Sequence, residues 1–83
     1  MNEITVLRIS DNVYVDLNGV KLSSTEEVAK ALQQVVADNP HANLSIEADD
    51  SSQYEAIGKA IYGGLRAGFS GERVRILIDG KLV

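Results

Sequence analysis

The sequence predicts an α+β fold, an α/β two-layer sandwich of order β-β-(β)-α-β-α-β with two helices packed on one face of a mixed sheet. Three observations carry this. Residues 4–9 are rich in β-branched side chains, and apolar residues alternate with period two at 13–17, 44–48 and 74–78. Two segments, at 28–36 and 54–65, carry apolar residues at helical spacing. The helices alternate with strands, and strand–helix–strand units cross over right-handed, which places both helices on one face.

In chain order, Ile4-Thr5-Val6-Leu7-Arg8-Ile9 reads as a strand, and Ser10-Asp11-Asn12 is turn chemistry. Val13, Val15 and Leu17 alternate and are expected to face inward. Asn18-Gly19 is a hairpin signal, because both residues tolerate positive φ, and Val20-Lys21-Leu22 returns from it. Ser24 and Glu27 have the spacing of a capping box at a helix start. Val28, Ala31, Leu32, Val35 and Val36 then form one apolar stripe, which Asn39-Pro40 ends.

Leu44, Ile46 and Ala48 share one face of a buried strand. Asp49-Asp50-Ser51-Ser52 breaks it, and Ser52 with Glu55 repeats the capping-box spacing. Tyr54, Ile57, Ile61 and Leu65 are expected to form the apolar stripe of the second helix, with Tyr54 and Tyr62 as packing residues. Gly68 suits the left-handed position after the last turn, with Phe69 folding back onto that turn. Val74, Ile76 and Ile78 form a further strand, and Asp79-Gly80 turns the chain towards Lys81-Leu82-Val83.

The 83 residues form one domain, spanning 1–83, and 45% hydrophobic with 24% charged residues is the composition of a folded globule. So small a domain has a modest core, and a sheet of this kind leaves edges to be managed; self-association by edge or face would answer both. A net charge of −4 argues against nucleic acid and anionic lipid as partners. The absence of cysteine excludes disulfides, thiolate metal sites and cysteine nucleophiles. No apolar run reaches the roughly 18–20 residues that span a bilayer, and Met1-Asn2-Glu3 does not open a signal peptide.

Few residues suggest chemistry. His41 is the only histidine, and no nucleophile, base or metal set assembles around it in the sequence. Asp49 and Asp50 follow a central strand, where ligands often bind in α/β sheets. They read either as a metal or acid–base pair, or as caps that favour the positive helix end. Gly63-Gly64 inside a helix costs about 1 kcal/mol per glycine against alanine. The pair implies close approach of a partner chain, close packing on the sheet, or a looser last turn. With Tyr62 and Leu65 it marks a candidate partner surface. The glycines at 58, 63, 64 and 68 do not form a phosphate loop, because they lie in or after a helix. No catalytic residue, metal ligand or cofactor site is expected.

The order Ala48-Asp49, then Tyr54 five residues on, then a helix closing with Ala67-Gly68 before a final strand resembles the periplasmic domain of the ExbD/TolR biopolymer-transport family. Asp11-Asn12, Asn18-Gly19 and Val20-Lys21-Leu22 match, more loosely, the segment that precedes the family's first helix. Two positions depart from the family: Ser52 stands where relatives often carry Val, and Gly64 where they commonly carry Leu. The resemblance implies that Asp49, Tyr54, Ala67 and Gly68 are structural or interaction residues rather than catalysts. It implies a fragment of a single-pass inner-membrane protein, with this domain in the periplasm. Its expected partners are a second copy in a homodimer, an ExbB/TolQ-like membrane protein, a TonB/TolA-like protein and peptidoglycan. Two readings of other classes stand beside it: a small ligand-binding regulatory α/β module that dimerises, and a metal-dependent enzyme centred on Asp49 and Asp50.

Overall fold

The structure, a computed structural model, describes residues 3–83; the reading of Met1 and Asn2 lies outside the described residues. The elements are β1 (Ile4–Ile9), β2 (Val15–Leu17), β3 (Val20–Leu22), α1 (Thr25–Asp38), β4 (Asn43–Ala48), α2 (Tyr54–Ala67), a 3-10 turn (Gly71–Arg73), β5 (Val74–Ile78) and β6 (Lys81–Leu82). The strands form one mixed six-stranded sheet in the order β3-β2-β1-β4-β5-β6. The central β1–β4 and β4–β5 pairs are parallel, and the flanking β1–β2, β2–β3 and β5–β6 pairs are antiparallel. The predicted two-layer α+β architecture and its element order are therefore the observed ones.

Two-residue turns close both flanking hairpins. Asn18 and Gly19 have φ of 52° and 85°, and Asp79 and Gly80 have φ of 53° and 75°. Positive φ at both central residues matches the turn to the right-handed strand twist, so β6 is a true strand.

One sheet face is apolar. Register places Leu7 beside Ile46 and Ile9 beside Ala48, with Leu44 beside Val74 and Ile46 beside Ile76. Val28 and Leu32 of α1 join this layer to form the core with Ala56 and Ala60 of α2. The other face is charged. Across one row Lys21, Asp16, Arg8 and Glu47 are successive neighbours, alternating in sign, and Leu77 and Leu82 continue the row. Opposite charges side by side on a sheet are mutually stabilising. Ser45 points to this face yet is fully buried, because Arg75 lies over it and donates from Nε to its Oγ at 3.1 Å.

Three local expectations are corrected. Val13 is not inward but 49% exposed. The Asp11 carboxylate accepts from the amides of Val13 and Tyr14 at 2.8 and 2.9 Å, which folds this segment into a loop and delays β2 to Val15. At the start of α1, Ser24 accepts from the Glu27 amide as expected. The Glu27 carboxylate, however, returns to the amide and hydroxyl of Ser23 rather than to Ser24.

The third correction concerns α2. Tyr54 and Leu65, the ends of its predicted apolar stripe, are 67% and 46% exposed, and Ile57 and Ile61 are half-buried at the flank. The buried face is made of small residues, Ala56, Ala60, Gly63, Gly64 and Ala67. α2 lies so close to its neighbours that a Cβ on Gly63 would sit 2.4 Å from Val28 Cγ1, and one on Gly64 2.7 Å from Leu44 Cδ2.

Candidate functional site

The β4–α2 junction is built from residues distant in sequence. β4 ends at Ala48, and the Asp49 and Asp50 amides both donate to Gln53 Oε1, at 2.9 and 3.3 Å. Gln53 is buried and occupies the position before the helix, so its side chain closes the loop instead of capping α2. The expected Ser52–Glu55 capping box does not form. Asn12, from the β1–β2 loop, supplies the cap: its Oδ1 accepts from the amides of Glu55 and Ala56 at 2.8 and 3.3 Å. Lys59 adds a second tie to that loop by donating to the Val13 carbonyl at 2.9 Å. A side-chain oxygen on the first free amides of a helix satisfies donors that have no partner within it.

The two aspartates do different work from that expected of helix caps. The Asp50 carboxylate accepts from the Ser52 amide at 2.8 Å and from the Ser52 hydroxyl, bracing the turn rather than the helix. The Ser52 hydroxyl first, then its amide, holds the Asp50 carboxyl below the usual carboxylate range. Asp11 is lowered in the same way by the Tyr14 amide and then the Val13 amide, with smaller help from Lys21 and Lys59. A carboxyl with a depressed folded pKa stabilises fully above its unfolded pKa, about 4, and loses that contribution as pH falls through the folded value. The urea midpoint should therefore fall with acidification below about pH 4. Asp11→Asn with Asp50→Asn should flatten that part of the profile.

Asp49 is exposed and opens onto a cleft of about 250 Å³ at the C-terminal ends of the parallel strands. The cleft is lined by Arg8, Glu47, Ala48, Asp49, Leu77, Asp79 and Gly80. Arg8 and Glu47 pair across it at 3.8 Å, and Glu47 also accepts from Ser45 Oγ at 3.1 Å. Among the described residues, no three His, Asp or Glu side chains gather as a metal site. His41 is exposed in the α1–β4 loop, with its amide on Asn39 Oδ1. The cleft residues Arg8, Glu47 and Leu77 come from three strands and Asp79 from the β5–β6 turn, and no local motif joins them.

The remaining predicted residues divide. Ala67 is buried, and Gly68 has φ of 113°. The Phe69 amide donates to the Gly64 carbonyl and the Gly68 amide to that of Leu65, so the helix stop forms as expected, with Phe69 folded into the core. Tyr54 and Tyr62 are 67% and 63% exposed, which corrects their assignment as packing residues. Of the candidate partner surface, Gly63 and Gly64 face Val28 and Leu44 and are not available to a partner, whereas Tyr62 and Leu65 are exposed.

No protein-family model matches the chain, and no curated protein matches it. Among the described residues, no helix is long and apolar enough to cross a membrane.

Proposed function

We propose that the chain is the periplasmic domain of a proton-motive-force-coupled inner-membrane protein of the ExbD/TolR kind. It acts as a homodimer beside an ExbB/TolQ-like membrane protein. It relays conformational work to a TonB/TolA-like protein, or holds the cell wall, and performs no catalysis. One observation carries this reading. The residues of the resemblance occupy the joints of a single unit: Ala48-Asp49 at the end of the central strand, Tyr54 at the first position of α2, and Ala67-Gly68 at its stop. Within that unit Tyr54 is exposed, which suits a role in contact rather than in packing.

The test is an NMR titration of the labelled domain with peptidoglycan fragments and, separately, with a TonB/TolA-like periplasmic segment. Shifts clustered on α2, β5 or the Asp49 loop are expected with at least one of them. Spectra blind to both would overturn the reading. The cleft at the strand ends, with one arginine among three carboxylates, favours a second reading as a small ligand-binding regulatory module. A small-molecule screen that shifts Arg8, Glu47 and Asp79 would select it.

A further inference from the structure

The outward side of α2 is apolar. Tyr54, Gly58, Tyr62 and Leu65 follow one another at spacings of four, four and three, and so lie along one side of the helix. That side is opposite the buried Ala56, Ala60, Gly63 and Ala67. Tyr54, Tyr62 and Leu65 are among the large apolar or aromatic side chains that the fold leaves exposed. Gly58 lies between them. A Cβ built on Gly58 would meet nothing within 4 Å, so packing inside the domain does not require glycine there. Glycine is unfavourable in a helix interior, and a bare backbone at the centre of an exposed apolar stripe suits the close approach of another chain.

The charges beside the stripe identify that chain. Glu55 in the first turn and Arg66 in the last turn are exposed, lie on the same flank and form no ion pair among the described residues. A twofold axis between Ala60 and Ile61, perpendicular to the helix, sets two copies of α2 antiparallel and brings like flanks together. Glu55 then meets Arg66 of the partner subunit, and the pair occurs twice. Tyr62 of each copy falls across the bare backbone around Gly58 of the other. This self-complementary arrangement is what a closed two-subunit contact requires.

We infer that the outward face of α2 is an isologous homodimer contact, with Tyr54, Tyr62 and Leu65 packed around Gly58 and two Glu55–Arg66 pairs at its ends. The contact rests on the homodimer proposed above and is independent of the envelope partners. The two ion pairs also offset the repulsion between subunits that each carry a charge of −4.

Sedimentation equilibrium of the full chain over a concentration series tests it, with circular dichroism as a check on folding. The parent chain should dimerise. Gly58→Gln fills the gap at the crossing while improving helix propensity, and should stay folded with self-association weakened at least about tenfold. Glu55→Arg and Arg66→Glu should each weaken the dimer, and the double exchange should restore it. A dimer indifferent to Gly58→Gln, or a double exchange without recovery, would overturn this surface while leaving the homodimer standing. A monomer at every concentration would overturn both and leave the face to a different protein.

Discussion

Replacing Gly63 by alanine is expected to lower stability by about 1–3 kcal/mol, although alanine is the better helix former by about 1 kcal/mol. The new Cβ would lie 2.4 Å from Val28 Cγ1 and 2.6 Å from Val28 Cβ, with the Ala29 amide nitrogen at 3.2 Å. Val28 is fully buried, and its branched side chain is stiff about χ1. A short, branched residue has no flexible end to swing aside, so α1 and α2 must separate. Separation loosens contacts along the whole helix pair, because core packing is dense. Gly64→Ala provides the internal comparison. Its Cβ meets only a terminal methyl of Leu44, at 2.7 Å, and Leu32 at 3.9 Å. Leu44 can turn its methyl away, so the loss should be smaller. Urea unfolding of both variants measures the difference. Adding Val28→Ala to Gly63→Ala removes the obstructing methyls, and the pair should be less destabilising than the sum of its parts.

Asn12→Ala is expected to cost about 1–2 kcal/mol, the range for losing a helix cap. Asn12 lies 43 residues before Glu55, whose amide it caps, and the same Oδ1 also receives the Ala56 amide. Its loss leaves two amides at the start of α2 without a protein partner and frees the β1–β2 loop from the helix. Hydrogen exchange at Glu55 and Ala56 should accelerate more than at the middle of α2. Asn12→Asp keeps an acceptor and adds a charge that the helix start favours, so it should retain most of the stability. Ser52→Ala, the residue a local reading would choose as the cap, should stay within about 0.5 kcal/mol. Equal losses at positions 12 and 52 would contradict this assignment.

These two residues show where the sequence was legible and where it was not. β4 and α1 read correctly, because Leu44–Ile46–Ala48 and Val28–Leu32 bury the large residues their periods predict. The helix stop at Gly68 and the Asn18-Gly19 hairpin turn read correctly because each is dictated by two or three adjacent residues, whereas Asp79-Gly80 reads as a turn that leaves Lys81-Leu82-Val83 either a tail or a strand. α2 was legible as a helix but not in its orientation. Its large side chains suggest one buried face, yet the separation from Val28 and Leu44 leaves room only for glycine. That separation is set by residues on other elements, which a hydrophobic period does not report. The same limit applies to the cap. Ser52 and Glu55 match a local motif, but the amides they would serve are taken by Asn12 across the fold. The cleft was hidden for a related reason. Asp49 was identifiable from its place after a strand, whereas Arg8, Glu47 and Asp79 meet it only through the parallel register.

The strand order β3-β2-β1-β4-β5-β6 has a consequence for a nascent chain. β2 and β3 extend the sheet from one side of β1, and β4, β5 and β6 extend it from the other, each in the order of synthesis. No late strand has to open a pair that has already formed, so the sheet can grow outward as the chain emerges. Until Val74 has been made, however, the outer edge is β4, whose Leu44, Ile46 and Ala48 are buried in the finished domain. A bare apolar edge invites pairing with another chain. Between the completion of β4 and the arrival of β5, an unfinished chain therefore carries an open apolar edge that favours aggregation.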